Sequence, residues 1–131
     1  METYIDTKGY SDEFKNDLKT GWGCGYVHIP KDHPILVQLI AEENIGYAPY
    51  LQPEDCPEEI TYSNWDKEKE YYVIGFDTAH SHNNDSHDEE YVTEQANIIK
   101  SLVDKYTAED AYNYALNEID QVKRKFNKYL S

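Results

Sequence analysis

The sequence is short of cations, of cysteine and of long apolar runs, and each shortage excludes something. Twelve Lys and Arg stand against 26 Asp and Glu, a formal net charge of −14. A duplex-DNA binder needs a basic face that displaces counterions from phosphates, so direct binding of duplex nucleic acid is excluded for the surface as a whole. No stretch approaches the ~18 consecutive apolar residues of a membrane span. No charged-then-apolar leader opens the chain either, so the expectation is a cytoplasmic protein with no membrane partner. Two cysteines, Cys24 and Cys56, are too few for a disulfide scaffold and form no CxxC pair. They read as reduced thiols, Cys24 half-buried in a strand. HExxH, a Cys-His quartet, GxSxG and GxxxxGK[ST] are all missing, so no catalytic residue, resident metal or cofactor is assigned.

What is present is aromatic and acidic. Thirteen Tyr and two Trp bring the aromatic share to 14%, too rich for a disordered acidic chain, and 131 residues fit one domain spanning 1–131. The acidity is uneven. Residues 51–90 hold twelve acids and two bases, whereas residues 91–131 hold six of each. That central segment is either a solvated rim or a surface that imitates a polyanion.

The order of elements predicts an α+β fold, a small antiparallel sheet packed by two C-terminal helices and a short N-terminal helix. Ser11 caps a helix running to about Lys19. Trp22 to Ile29 alternates as a strand, interrupted by Gly21, Gly23 and Gly25. Pro30 and Pro34 frame a tight turn. Ile35 to Glu43 reads as a short apolar helix or a buried strand, and the run Ile35 to Ile40 is a candidate oligomer contact. Asn44 to Pro57 reads as loop. Ile60 to Trp65 and Glu70 to Phe76 form a hairpin across Lys67 to Lys69. A helix capped by Asp88 follows, from Glu89 to Tyr106. Thr107 and Asp110 form a capping box for a last helix to about Tyr129, with Ala111, Ala115, Ile119, Val122 and Phe126 as its inner stripe.

Two segments carry the chemistry. In Cys24-Gly25-Tyr26-Val27-His28-Ile29-Pro30-Lys31-Asp32-His33-Pro34 a strand ends in a turn presenting Lys31 and His33, a point charge and an imidazole suited to phosphate. In Tyr72-Val73-Ile74-Gly75-Phe76-Asp77-Thr78-Ala79-His80-Ser81-His82 a hydrophobic strand delivers Asp77 and His80 past its end. Asp77, His80 and His82 are also the candidate ligands of a divalent metal. Cys24 and His28 make no nucleophile–base pair, since four residues along a strand separate them by about 13 Å.

These segments resemble a recurrent pattern in small, largely uncharacterised bacteriophage proteins, with a Gly-Tyr-Val-x-Val-Pro-x-Gly-His-Pro stretch, a strand ending Leu-Thr-Tyr or Leu-Thr-Phe, and Gly-Phe-Asp-x-Ala-His. The matching pieces are Gly25-Tyr26-Val27, Pro30 to Pro34, Ile60-Thr61-Tyr62 and Gly75 to His80, and the likeness spans roughly residues 22–103. Asp32 stands where the pattern has Gly, and Ser81-His82 where Gly-Asp often follows. The resemblance implies a phage protein acting in the cytoplasm of an infected bacterial host, and, by association, a counter-defence role. On that footing the expected function is a sponge. A homo-oligomer would sequester a nucleotide immune signal, a cyclic dinucleotide or cyclic ADP-ribose type, without cleaving it. Trp22, Tyr26, Tyr62 and Trp65 would supply ring faces, Lys31, His33 and His80 the donors, and Asp77 an acceptor. One alternative is an acidic inhibitor of a host nucleic-acid enzyme acting through Glu54, Asp55, Glu58 and Glu59. Another is a metal-dependent nucleotide hydrolase using Asp77, His80 and His82.

Overall fold

The computed structural model describes residues 1–42 and 58–130, so the loop expected over Asn44 to Pro57 lies outside the described residues. The chain runs β1 (Tyr4–Gly9), α1 (Asp12–Leu18), β2 (Gly23–Pro30), α2 (Leu36–Ala41), β3 (Tyr62–Trp65), β4 (Tyr71–Asp77), α3 (Glu89–Lys105) and α4 (Ala108–Leu130). The four strands form one antiparallel sheet in the order β1-β2-β4-β3. The fold is α+β, with a short N-terminal helix and two C-terminal helices.

The helix starts follow their capping residues. Ser11 Oγ accepts from Phe14 N–H at 3.2 Å, and Asp88 Oδ1 from Tyr91 N–H at 2.9 Å. Thr107 and Asp110 exchange bonds: Asp110 Oδ2 accepts from Thr107 N–H at 2.8 Å and Thr107 Oγ1 from Asp110 N–H at 3.1 Å. Each satisfies an N–H that a helix start otherwise leaves without a partner.

Period-two alternation gives the sheet two unlike faces. Val27, Ile29, Ile74 and Phe76 point to one side and meet Leu36 and Leu39 of α2 and Val92, Ala96, Ile99 and Val103 of α3, forming the core. Ile35 joins them, so the apolar run Ile35 to Ile40 is helical and its Ile35, Leu36 and Leu39 are buried within this chain. Gly25 makes this packing possible: a Cβ there would lie 2.5 Å from Phe76 Cζ and 3.4 Å from Ala96 Cβ.

Two features depart from the sequence reading. Tyr4–Gly9 is a strand, pairing with β2 from Tyr4↔His28 to Gly9↔Gly23, where the alternation of Ile5 and Thr7 against Tyr4, Asp6 and Lys8 is too short to stand out. The stripe of α4 is not an inner one. Of that helix only Ala111 is buried, whereas Ile119, Val122 and Phe126 are 52%, 66% and 60% exposed.

Candidate functional site

The sheet's second face is where the aromatic rings gather. Register places Tyr4, His28, Val73 and Asn64 in one row across the four strands, Asp6, Tyr26, Gly75 and Tyr62 in the next, and Lys8, Cys24 and Asp77 in a third. The His28 ring stacks on Tyr4 with centroids 4.4 Å apart and planes 10° from parallel. Tyr71 meets both edge-on, at 5.1 Å from Tyr4 and 6.2 Å from His28. One row on, Tyr26 and Tyr62 pack edge to face at 5.7 Å. Tyr4 and Tyr62 are 44% and 46% exposed. α3 packs against β1 and β2 from the core side, so these rings lie on the face turned away from it.

Gly75 is the reason Tyr26 lies flat on the sheet. A Cβ at Gly75 would lie 2.5 Å from Tyr26 Cδ1, so only glycine leaves room for the ring. Burial, then a hydrogen bond with Cys24, push the Tyr26 phenol up to about 12. Tyr10 closes one end of this face. Its hydroxyl accepts from Cys24 Sγ at 3.5 Å, its ring packs on Phe14 at 4.7 Å, and its acidity is likewise suppressed by burial. Burial also holds His28 below the ordinary imidazole value, outweighing the pull of Asp6 and Asp66 toward the charged form. The middle of the face is therefore aromatic and partly exposed, with the Asp6 carboxylate on its β1 side, 3.9 Å from His28 Nε2, and Lys8 and Asp77 in the row toward one end.

Beyond that end lies a second cluster, built by the Gly-Phe-Asp-x-Ala-His segment. Thr78 is buried and locks the loop to β2, its Oγ1 donating to Gly23 C=O at 2.7 Å and accepting from Gly23 N–H at 3.1 Å. Asp77 Oδ1 accepts from Ala79 N–H at 3.0 Å, and Asp77 Oδ2 from Thr61 Oγ1 at 3.3 Å. His80 Nε2 lies 3.4 Å from Asp77 Oδ1, within electrostatic reach but without hydrogen-bond geometry. Deeper in, Glu58 is fully buried. Its Oε1 accepts from the Tyr91 hydroxyl at 2.5 Å and from Asn83 Nδ2 at 3.0 Å, and lies 3.4 Å from His82 Nε2. His87 Nδ1 accepts from Asn84 N–H at 3.1 Å, which fixes the neutral ring with its proton on Nε2. The His80 and His82 rings lie parallel at 5.8 Å.

The residues singled out from sequence are thus distributed. Tyr26 and Tyr62 are neighbours on the aromatic face, and Asp77 ends it. His80 belongs to the loop cluster. Lys31 lies past the opposite end, since Pro30 pairs with Tyr71 while Cys24 pairs with Asp77, and it is paired with Glu70 at 3.1 Å. Six residues of strand, about 20 Å, separate Lys31 from His80. His33 turns to the helix side, where its Nδ1 accepts from Ile35 N–H at 3.1 Å. Trp65 packs on Tyr72 at 5.3 Å against the core. Trp22 also packs on the core and forms a wall of a cleft of about 460 Å³, where Asp12, Asp85 and Asp88 outnumber Lys15 among the described residues.

The residues missed are Tyr4, His28 and Tyr71, which complete the face around Tyr26 and Tyr62. Strand β1 is the missing signal, for its register is what sets Tyr4 beside His28. For the acidic alternative, Glu58 is buried and no part of a surface, Glu59 is exposed, and Glu54 and Asp55 lie outside the described residues. Among the described residues no group of three or more His, Cys, Asp or Glu side chains is arranged to hold a metal, and no helix is long and apolar enough to cross a membrane. No protein-family model, curated protein or solved structure matches this chain.

Proposed function

We propose that the protein binds a small nucleotide on the open face of its sheet and holds it without cleaving it. The observation that carries this reading is the cluster of rings Tyr4, His28 and Tyr71 beside the pair Tyr26 and Tyr62, on a face that α3 leaves uncovered. A base stacks on such a platform whatever its identity, at about 1–3 kcal/mol per base. The uncharged phenol rings suit an uncharged base. A phosphate belongs at an end, beside Lys8 or at Lys31. The exposed Lys31–Glu70 pair contributes little by itself and gives way readily to a ligand anion. Asp77 accepts from a ribose hydroxyl or a base edge. With the bacteriophage resemblance, the ligand class that fits is a cyclic dinucleotide or a cyclic ADP-ribose derivative, captured as a counter-defence sponge in the host cytoplasm. The test is thermal: a ligand held by the folded state raises the melting temperature as its concentration rises. Such a shift should appear with the wild-type protein and shrink with Tyr26→Ala or Tyr62→Ala. An equal shift in those variants would remove the sheet face from the reading.

A second reading has its own observation. The buried Glu58 carboxylate beside His82 Nε2 is the arrangement that orients an imidazole for acid–base work, and His82 is half exposed. Under this reading the His80–His82 loop hydrolyses the nucleotide. Ligand recovered intact after denaturing the complex supports capture; cleaved ligand supports hydrolysis.

A further inference from the structure

We infer that α4 is a self-association helix that pairs antiparallel with α4 of a second copy of this chain. From Leu116 to Leu130 every residue of the helix is exposed. Fifteen residues extend about 22 Å, and an isolated helix of that length is marginal in water unless its apolar side is covered. That side is well defined. Tyr112, Ala115, Ile119, Val122, Phe126 and Tyr129 alternate at spacings of three and four, the a and d positions of a heptad, with Leu116 and Leu130 flanking them. Five of the six are more than half exposed; the exception, Ala115, is half-buried. The N-terminal part of the helix rests on α2, whose C-cap residue Glu42 is hydrogen-bonded to Tyr114, and the remainder is exposed.

Charge identifies the occupant. All four carboxylates of α4, Glu109, Asp110, Glu118 and Asp120, precede all four cations, Lys123, Arg124, Lys125 and Lys128. The helix is neutral, and the rest of the chain carries the whole charge of −14. A parallel pair would set acid beside acid, base beside base, and two strongly anionic bodies side by side. An antiparallel pair sets acidic half against basic half and places the bodies at opposite ends. The register then follows from the heptad. Tyr112 opposes Tyr129 of the second copy, Ala115 opposes Phe126, a small residue against a large one, and Ile119 opposes Val122. Glu118 of each helix flanks Lys125 of the other.

The proposal is independent of what the sheet binds and is tested by sedimentation of the full chain over a concentration series. Wild type should sediment as a dimer, and Ile119→Asp with Val122→Asp as a monomer that keeps its near-ultraviolet tryptophan spectrum. Glu118→Lys should weaken the dimer several-fold, and adding Lys125→Glu to it should restore the affinity. With Cys24 and Cys56 replaced by Ser, a mixture of Ala115→Cys and Phe126→Cys chains should form the mixed disulfide on oxidation. A wild-type chain that is monomeric up to its solubility limit overturns the inference. So does failure of the double charge swap to rescue, or disulfides forming only between identical positions.

Discussion

Gly75 and Tyr26 make a residue-scale case that can be checked directly. A methyl on Gly75 would meet the Tyr26 ring at 2.5 Å and the Gly25 carbonyl oxygen at 2.8 Å, so the ring or the backbone would have to shift. Gly75→Ala is expected to cost about 1–3 kcal/mol in urea unfolding and to displace the Tyr26 resonances in the folded protein; unchanged stability would mean the ring is not seated there. Glu58 is the second case. Its buried carboxylate receives the Tyr91 hydroxyl and Asn83 amide, so Glu58→Ala strands two donors and should lower stability by about 3 kcal/mol. An exposed acid of a polyanion-like surface would lose almost nothing. The third case is the pair of histidines held below their ordinary pKa, His28 and His33, chiefly by burial. In the unfolded chain they take up a proton near pH 6.5, and in the fold only at lower pH. Their contribution is therefore fully present above pH 6.5 and is lost as pH falls below it. Unfolding midpoints measured from pH 7.5 down to 5 should decline, and His28→Phe should flatten part of that decline; a rise on acidification contradicts the burial of both rings.

Among the elements, α3 and α4 show what an apolar periodicity does and does not reveal. Both stripes are legible in the sequence, and so are both starts, because Asp88 and the Thr107–Asp110 pair fix them by local hydrogen bonds. A stripe states that one side is apolar; it does not state what covers it. In α3 the cover is the sheet of the same chain, and in α4 beyond Ala115 no described residue of this chain buries it. Truncations should separate the two. Ile99→Ala, at a fully buried position, is expected to cost about 2–5 kcal/mol. Phe126→Ala, 60% exposed, should change the stability of protein dilute enough to be monomeric by less than about 0.5 kcal/mol. A large Phe126 effect in the monomer would place α4 in the core of its own chain. β1 was illegible for another reason. Six residues with polar Asp6, Thr7 and Lys8 carry little hydrophobic contrast, and the strand exists because β2 offers it a partner.

At the scale of the whole molecule, the α+β class and the separation of two motif segments could be read from the chain, while their spatial relation could not. Lys31 and His80 each follow a strand, and each was a reasonable phosphate donor. Antiparallel pairing of β2 with β4 sends those two strand ends to opposite ends of the sheet. The same pairing assembles the face between them, where the Tyr26–Tyr62 pair lies one row from the Tyr4, His28 and Tyr71 rings in a chain of net charge −14. The most direct measurement is to incubate the purified chain with a mixture of cyclic dinucleotides and cyclic ADP-ribose compounds, remove free ligand, denature, and identify what is released. One nucleotide should be released intact from wild type and lost from Tyr26→Ala. Release of none, or equal release from both proteins, would contradict capture on the sheet face.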